Sequence, residues 1–248
     1  MNRPALRPLV SQEGPLGELE HLAALARYEA GEWVYRSTDP IENWYRVVRG
    51  AARKSALSGD GRRHVVEFLL PGDVFGFSAV SGRHFFGVEA LVSRTLITRY
   101  PRRGAERLAD SDPQLARNLR ELAFRSIDRL QRRLAFLGRS SARERVSAFL
   151  LEMADRGHAA PTREVPLPMS RYDIADYLGL AVETVSRTLT QLRAHHVIAF
   201  RDVRLLLISD RRLLEEFAEG PVGVGVQPRR TATCIRPPRP GESTRALN

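Results

Sequence analysis

The sequence predicts an α+β protein with an all-β N-terminal unit, a long helix, and a C-terminal unit of short helices closed by a hairpin. Three observations predict it. Residues 33 to 100 are dense in aromatic and β-branched residues broken by glycine-containing turns. Composition shifts at about residue 102, after which Ile127, Leu130, Leu134 and Leu137 follow 3,4,3 spacing, the narrow stripe of a helix that faces another helix. Beyond Ser170 two short helical patterns meet at Gly179, and an alternating stretch follows them.

Taken in order, "LGELEHLAALARYEA" reads as a short helical opening. "EWVYRS", "NWYRVVRGAARKSAL", "RRHVVEFLLPGDVFG" and "FGVEALVSRTLITRY" supply strands, and Asp60-Gly61 suits a tight hairpin turn because both residues tolerate positive φ. Strands this short and closely spaced suggest a β-roll or sandwich. From Gly104 to Leu137 there is no interior turn signal after Pro113, and Leu119 joins the apolar positions. The stripe of Leu119, Ile127, Leu130, Leu134 and Leu137 is expected to pair with a second copy, since arginines and acids cover the other faces. "SSARERVSAFLLEMADR" reads as a helix capped by Ser141 or Ser140, with Glu144 placed for a capping box. "HVIAFRDVRLLLIS" fits a hairpin and "DRRLLEEFAEG" a last helix, while the Pro-, Gly- and Arg-rich stretch from Pro221 is expected to be disordered.

Bulk properties narrow the function classes. The chain has 248 residues, 43% hydrophobic content and a net charge of +10, enough for packed cores and suited to an anionic partner. Lys54 is the only lysine, so the arginine excess also fits genomic composition. No apolar run reaches the roughly 20 residues that span a bilayer, and no secretory signal stands at the start, so a cytoplasmic protein without membrane contact is expected. Cys234 is the only cysteine, which excludes an intramolecular disulfide and any multi-cysteine metal or iron-sulfur site. No catalytic constellation assembles: "GFSAV" lacks the second glycine of a nucleophile elbow, and "GPVGVGVQ" neither follows a strand nor starts a helix.

The chemistry concentrates in "SRYDIADYLGLAVETVSRTLTQLRAHHVI". Ile174 and Leu178 give the first helix an apolar face, Ala175 is small where two helices approach, and Gly179 permits a sharp turn. Leu180, Val185 and Leu189 face inward from the second helix. This is the internal logic of a helix-turn-helix, whose second helix enters the major groove by its N-terminal end. Glu183, Ser186 and Arg187 stand there at i, i+3 and i+4 on the face opposite Val185 and Leu189. Arginine can donate twice to guanine O6 and N7, and glutamate can accept from cytosine N4. The alternative for the same residues is an exposed salt bridge between Glu183 and Arg187. Thr184 and Ser170 complete the expected DNA-facing set, with Arg171 and Arg201 as phosphate contacts.

"LPMSRYDIADYLGLAVETVSRTLTQL" resembles the DNA-binding domain of the Crp/Fnr family, in its FNR and FixK branch, marked by E-x-x-S-R at Glu183, Ser186 and Arg187. "YRVVRGAARKSALSGDGRRHVVEFLLPGDVFG" and "LGRSSARERVSAFLLEMA" extend the resemblance over roughly residues 20 to 218. It implies an N-terminal cyclic-nucleotide-binding-like β-roll over 1–103, a dimerisation helix over 104–138, a winged helix-turn-helix over 139–220 and a basic tail over 221–248. It further implies a homodimeric transcription regulator, an activator contacting RNA polymerase, on double-stranded DNA with TTGA-like half-sites in an inverted repeat.

Departures from the family bear on the effector. Where cyclic AMP receptors carry a Gly-Glu pair and an Arg-Ser or Arg-Thr pair, this chain has Phe77 and then His84, Phe85 and Phe86, with Arg83 close by. The usual cyclic AMP contacts are therefore absent and no cofactor is expected, while sensing through haem or a small ligand in the β-roll stays open as the alternative. His21, His64, His84, His158, His195 and His196 are scattered. Ala181, at a position often Ser or Thr in the family, forgoes a side-chain cap worth about 1 kcal/mol.

Overall fold

The computed structural model describes residues 16–219 except 58, 60, 62, 78–81, 139–140 and 157–162. The expected basic tail, Cys234 and His158 lie outside the described residues.

The N-terminal unit is a two-sheet β-roll. After a 3-10 turn at Gly17–Leu22 come β1 (Ala24–Tyr28), β2 (Trp33–Tyr35), β3 (Asn43–Arg49), β4 (Ala52–Leu57), β5 (Arg63–Leu69), β6 (Val74–Phe75), β7 (Gly87–Ala90) and β8 (Thr95–Pro101). One sheet has the order β1-β8-β3-β6 and the other β2-β7-β4-β5, with every pairing antiparallel. Their inner faces bury Tyr28, Tyr35, Tyr45, Val47, Leu69, Phe75, Val88 and Ile97. The helical opening expected over "LGELEHLAALARYEA" is confined to the 3-10 turn: Ala24–Tyr28 pairs along β8, from Ala24↔Arg99 to Tyr28↔Thr95. Alanine and leucine favour helix locally, but strand pairing with a distant partner overrides that preference here. Gly61 has φ +80, as the turn between β4 and β5 requires; Asp60 is outside the described residues.

The long helical run is broken. α1 (Arg102–Ser111) ends at Asp112, which has φ −119 and ψ 100, and α2 (Pro113–Leu137) starts on the next residue. Asp112 caps the new helix, its Oδ1 accepting from the backbone N–H of Gln114 at 2.8 Å and Leu115 at 3.2 Å. Proline at the first helical position costs no hydrogen bond, and it keeps the preceding residue out of the helical region. The first turns of α2 belong to the β-roll, with Leu115 and Leu122 buried against Trp44, Val74, Tyr100 and Ala105, and Leu119 packed on the same cluster.

The C-terminal unit comprises α3 (Ala142–Arg156), β9 (Glu164–Pro166), α4 (Arg171–Leu178), α5 (Val182–Ala194), β10 (Ile198–Asp202), β11 (Leu205–Ile208) and α6 (Arg211–Glu219). Ser141 and Glu144 form the expected start of α3: Ser141 Oγ accepts from the Glu144 N–H at 3.2 Å and donates to Glu144 Oε1 at 2.8 Å. The hairpin β10–β11 gains β9 as a third strand, in the order β10-β11-β9, which "GHAAPTREVPLP" did not announce. One apolar core unites this unit with the outer side of the β-roll. Val65, Phe68 and Leu70 pack with Phe149, Leu150, Met153 and Tyr177, and Phe68 lies 5.0 Å from Tyr177 between ring centroids.

Candidate nucleic-acid interface

α4 begins on a complete capping box. Ser170 Oγ accepts from the Asp173 N–H at 3.1 Å, and Asp173 Oδ2 accepts from the Ser170 N–H at 3.0 Å. Ile174, Ala175 and Leu178 are buried, and the helix stops at Gly179 in the left-handed region with φ 63, donating to the Ala175 carbonyl. A side chain at that φ would be strained. Three residues later α5 starts at Val182, with Val185, Thr188, Leu189 and Leu192 buried beneath it. Its N-cap, Ala181, has capping dihedrals but no side-chain hydrogen bond, as the sequence led one to expect.

Glu183, Ser186 and Arg187 all stand exposed at the N-terminal end of α5. Together with Arg171, Tyr172 and Val182 they line a groove of about 510 Å3 between the starts of α4 and α5. Among the described residues no ion pair joins Glu183 to Arg187, so both charged ends are available to an outside partner. Tyr172, 68% exposed on the side of α4 away from its core, is a wall residue that the sequence reading missed. Its place two residues after the cap, directly before the buried run from Asp173 to Ala175, was the available signal.

The other expected contacts are disposed differently. The Ser170 hydroxyl works inside the cap, donating to Asp173 Oδ2 at 2.7 Å. Thr184 is half-buried, and its carbonyl accepts from Thr188 Oγ1 at 2.8 Å. Arg171 lies with its guanidinium 4.8 Å from the Phe200 ring centroid, where burial pulls its pKa down. That contact fastens the start of α4 to β10. Arg201, on the same strand, pairs with Glu164 of β9 at 2.6 Å. Val203, between β10 and β11, is 87% exposed at the tip of the hairpin.

The interior of the β-roll is filled with rings. Tyr35 stacks on His84 with centroids 3.7 Å apart and lies 5.2 Å from Tyr45, which stacks on Phe75 at 5.2 Å. Burial pushes the Tyr45 hydroxyl up to about 12 and holds the His84 imidazole below its ordinary range. Phe77 turns away from this stack and packs on Trp44 at 5.2 Å, while Arg83 donates to the Thr38 carbonyl at 2.8 Å.

Comparison with known proteins matches both halves. Residues 25–112 fit the model of the cyclic nucleotide-binding domain and residues 144–217 that of the Crp-like helix-turn-helix domain. The nitrogen fixation regulation protein FixK of Bradyrhizobium diazoefficiens is 41% identical over 200 residues, which cover 80% of this chain and 84% of that one. FixK of Azorhizobium caulinodans is 46% identical over 184 residues, 73% of each chain. The chain belongs to the Crp/Fnr family. Within it, the solved structure of FixK2 from Bradyrhizobium japonicum shares 39% identity with a TM-score of 0.73, over 78% of this chain and 96% of that chain. This Crp/Fnr member is thus a DNA-binding transcription regulator of the FixK/FNR type and not an enzyme. In helix-turn-helix regulators the second helix of the motif presents side chains to base edges, and α5 holds that place in this chain.

Proposed function

We propose that this regulator binds DNA as a homodimer on an inverted repeat with TTGA-like half-sites, reads each half-site through Glu183, Ser186 and Arg187, and activates transcription through RNA polymerase. The observation that carries the reading is that Glu183 and Arg187, at the exposed start of α5, pair with no other charged group among the described residues. Donor and acceptor groups held ready on one helical face suit base edges, each good bidentate pair being worth about 1–3 kcal/mol of discrimination. An apolar row on α2 supports the dimer: Phe124, Ile127, Leu130 and Leu134 are 57%, 48%, 47% and 69% exposed in the single chain. Two-fold symmetry then matches a palindromic site. Activation has its support in relatives such as the transcriptional activator protein FnrL of Cereibacter sphaeroides, 33% identical over 209 residues. A DNA partner supports a cytoplasmic location, and no helix among the described residues is long and apolar enough to cross a membrane.

The reading includes operation without a bound effector. Its support is the ring packing between the sheets: Tyr35, Tyr45, Phe75 and His84 fill that space, and His84 is 5% exposed and stacked on a ring.

A mobility-shift titration at physiological salt tests the proposal on TTGAT-N4-ATCAA against a duplex with scrambled half-sites. At least about a tenfold preference for the repeat is expected for the purified protein. Arg187→Ala should lower discrimination at one base pair per half-site by roughly 1–3 kcal/mol without equalising the others. Equal affinity for both duplexes defeats the assignment.

A further inference from the structure

We infer that Asp173, held by Arg53 and Arg63, is a positioning residue through which the β-roll fixes the angle of the DNA-reading helix. Its carboxylate lies on α4 with its side chain 4% exposed, and all its partners are provided. Oδ1 accepts from Arg53 Nη1 at 2.6 Å and from Arg63 Nη2 at 2.9 Å. Oδ2 accepts from the N–H and the hydroxyl of Ser170, at 3.0 and 2.7 Å. One side chain therefore closes the first helix of the DNA-binding unit and clamps that helix to the other domain.

The clamp is anchored on the β-roll side. Arg53, in β4, also donates from Nη2 to both oxygens of Glu89 in β7, at 3.0 and 2.9 Å. Arg63, at the start of β5, reaches Asp176 one turn along α4 at 3.2 Å. Two arginines thus face three carboxylates, a nearly balanced set in which each charge has an opposite neighbour. The apolar contact beside it, Phe68 against Tyr177 and Phe149, joins the same two units. Burial of that kind is non-directional and tolerates sliding. Charge-assisted hydrogen bonds to a forked guanidinium are directional, so they select one angle among those the apolar contact permits. A buried ion pair adds little net stability on average, and the role of this one is geometric. The three-residue turn from Gly179 to Ala181 passes the angle of α4 on to α5.

In a dimer two such angles set the separation at which half-sites are read, and this consequence rests on the dimeric, operator-reading function proposed above. One added base pair moves a half-site by about 3.4 Å and turns it by about 35°. A clamped protein rejects that change, and an unclamped one follows it.

Two measurements on the full chain test the joint. The first needs no DNA: nitroxide labels at Arg49→Cys and Gln191→Cys, with Cys234→Ser and excess unlabelled protein, report the distance between the units by pulsed electron paramagnetic resonance. A single narrow distribution is expected for the parent protein and a broad one for Arg53→Gln/Arg63→Gln. Asp173→Asn, which keeps an oxygen for the helix cap, should broaden it too while leaving the circular dichroism spectrum unchanged. The second compares affinity for half-sites three, four and five base pairs apart. The parent should favour one spacing by about tenfold or more, and the folded variants should bring the three within about threefold while still rejecting scrambled half-sites. A narrow distribution in both variants, a broad one in the parent, or an unchanged spacing preference in the variants overturns the joint. Failure of the parent to prefer any inverted repeat overturns the operator reading instead, and the distance measurement then decides the joint alone.

Discussion

At the scale of single residues, His84 shows how burial turns a side chain into a source of pH dependence. Its Nε2 is buried without a hydrogen-bond partner among the described residues, and its ring is stacked on Tyr35. Desolvation disfavours the imidazolium, outweighing the attraction of Asp39 and assisted by the repulsion of Lys54, so the folded pKa lies below the ordinary 6.5. The unfolded chain then binds a proton more readily than the folded one. Stability is complete above about pH 6.5 and falls as the pH drops through that value toward the lower folded pKa. Thermal unfolding of His84→Phe followed between pH 7.5 and 5 should show a smaller loss of melting temperature than the parent chain. An identical slope would mean that His84 titrates as it does when unfolded. The helix bounds around the turn were legible because Gly179 and the Val185–Leu189 spacing are local signals: α4 ends at Gly179, and α5 buries Val185 and Leu189. Arg171 and Ser170 were legible as members of the region but not in their roles. The ring under one and the cap around the other depend on Phe200, 29 residues away in the chain, and on the carboxylate of Asp173.

At the scale of elements, α2 divides into two functions along its length. Its first turns bury Leu115 and Leu122 against the β-roll, and beyond them the exposed row runs from Phe124 to Leu134. Leu119, expected from its spacing to face a second copy, instead packs on its own domain. Periodicity marks an apolar face but carries no information about which molecule covers it. Leu137 closes α2, and its side chain lies outside the described residues. Phe124 takes a place in the exposed row that the leucine spacing alone did not assign. Phe124→Glu/Leu134→Glu should convert the proposed dimer to monomer in sedimentation equilibrium at micromolar concentration, with the far-ultraviolet spectrum preserved, because both side chains are exposed in the single chain. Retention of the dimer would place the contact on another face. The opening segment was misread at this scale as well. A five-residue strand held by partners more than 60 residues away in sequence leaves little local trace beside the helix-favouring alanines and leucines.

At the scale of the whole molecule, the order of the units was legible because each carries its own periodicity, and the way they are joined was not. Arg129 bonds Glu67 at 3.0 Å, Arg156 bonds the Phe68 carbonyl at 2.8 Å and Asp73 at 2.6 Å, and Arg133 bonds the carbonyls of Val65 and Val66, so that α2 and α3 hold β5 and the turn after it through arginines that look solvated in the sequence. The pair between Arg201 and Glu164 bears on the proposed DNA contacts of the same molecule. Binding to DNA draws its salt dependence from the cations released when positive groups neutralise phosphates. Arg201, proposed to face phosphate, is already matched by a carboxylate, whereas Arg171 and Arg187 have no acidic partner among the described residues. A plot of log affinity against log salt should therefore be shallower than the arginines on that surface would give by simple count. Glu164→Gln should steepen it by up to about 0.9 per protomer, and an unchanged slope would put Arg201 away from the phosphates. With Arg201 on the phosphates, the ion pair that ties β10 to β9 across β11 would also set how far ionic strength governs the time the regulator spends on unrelated DNA.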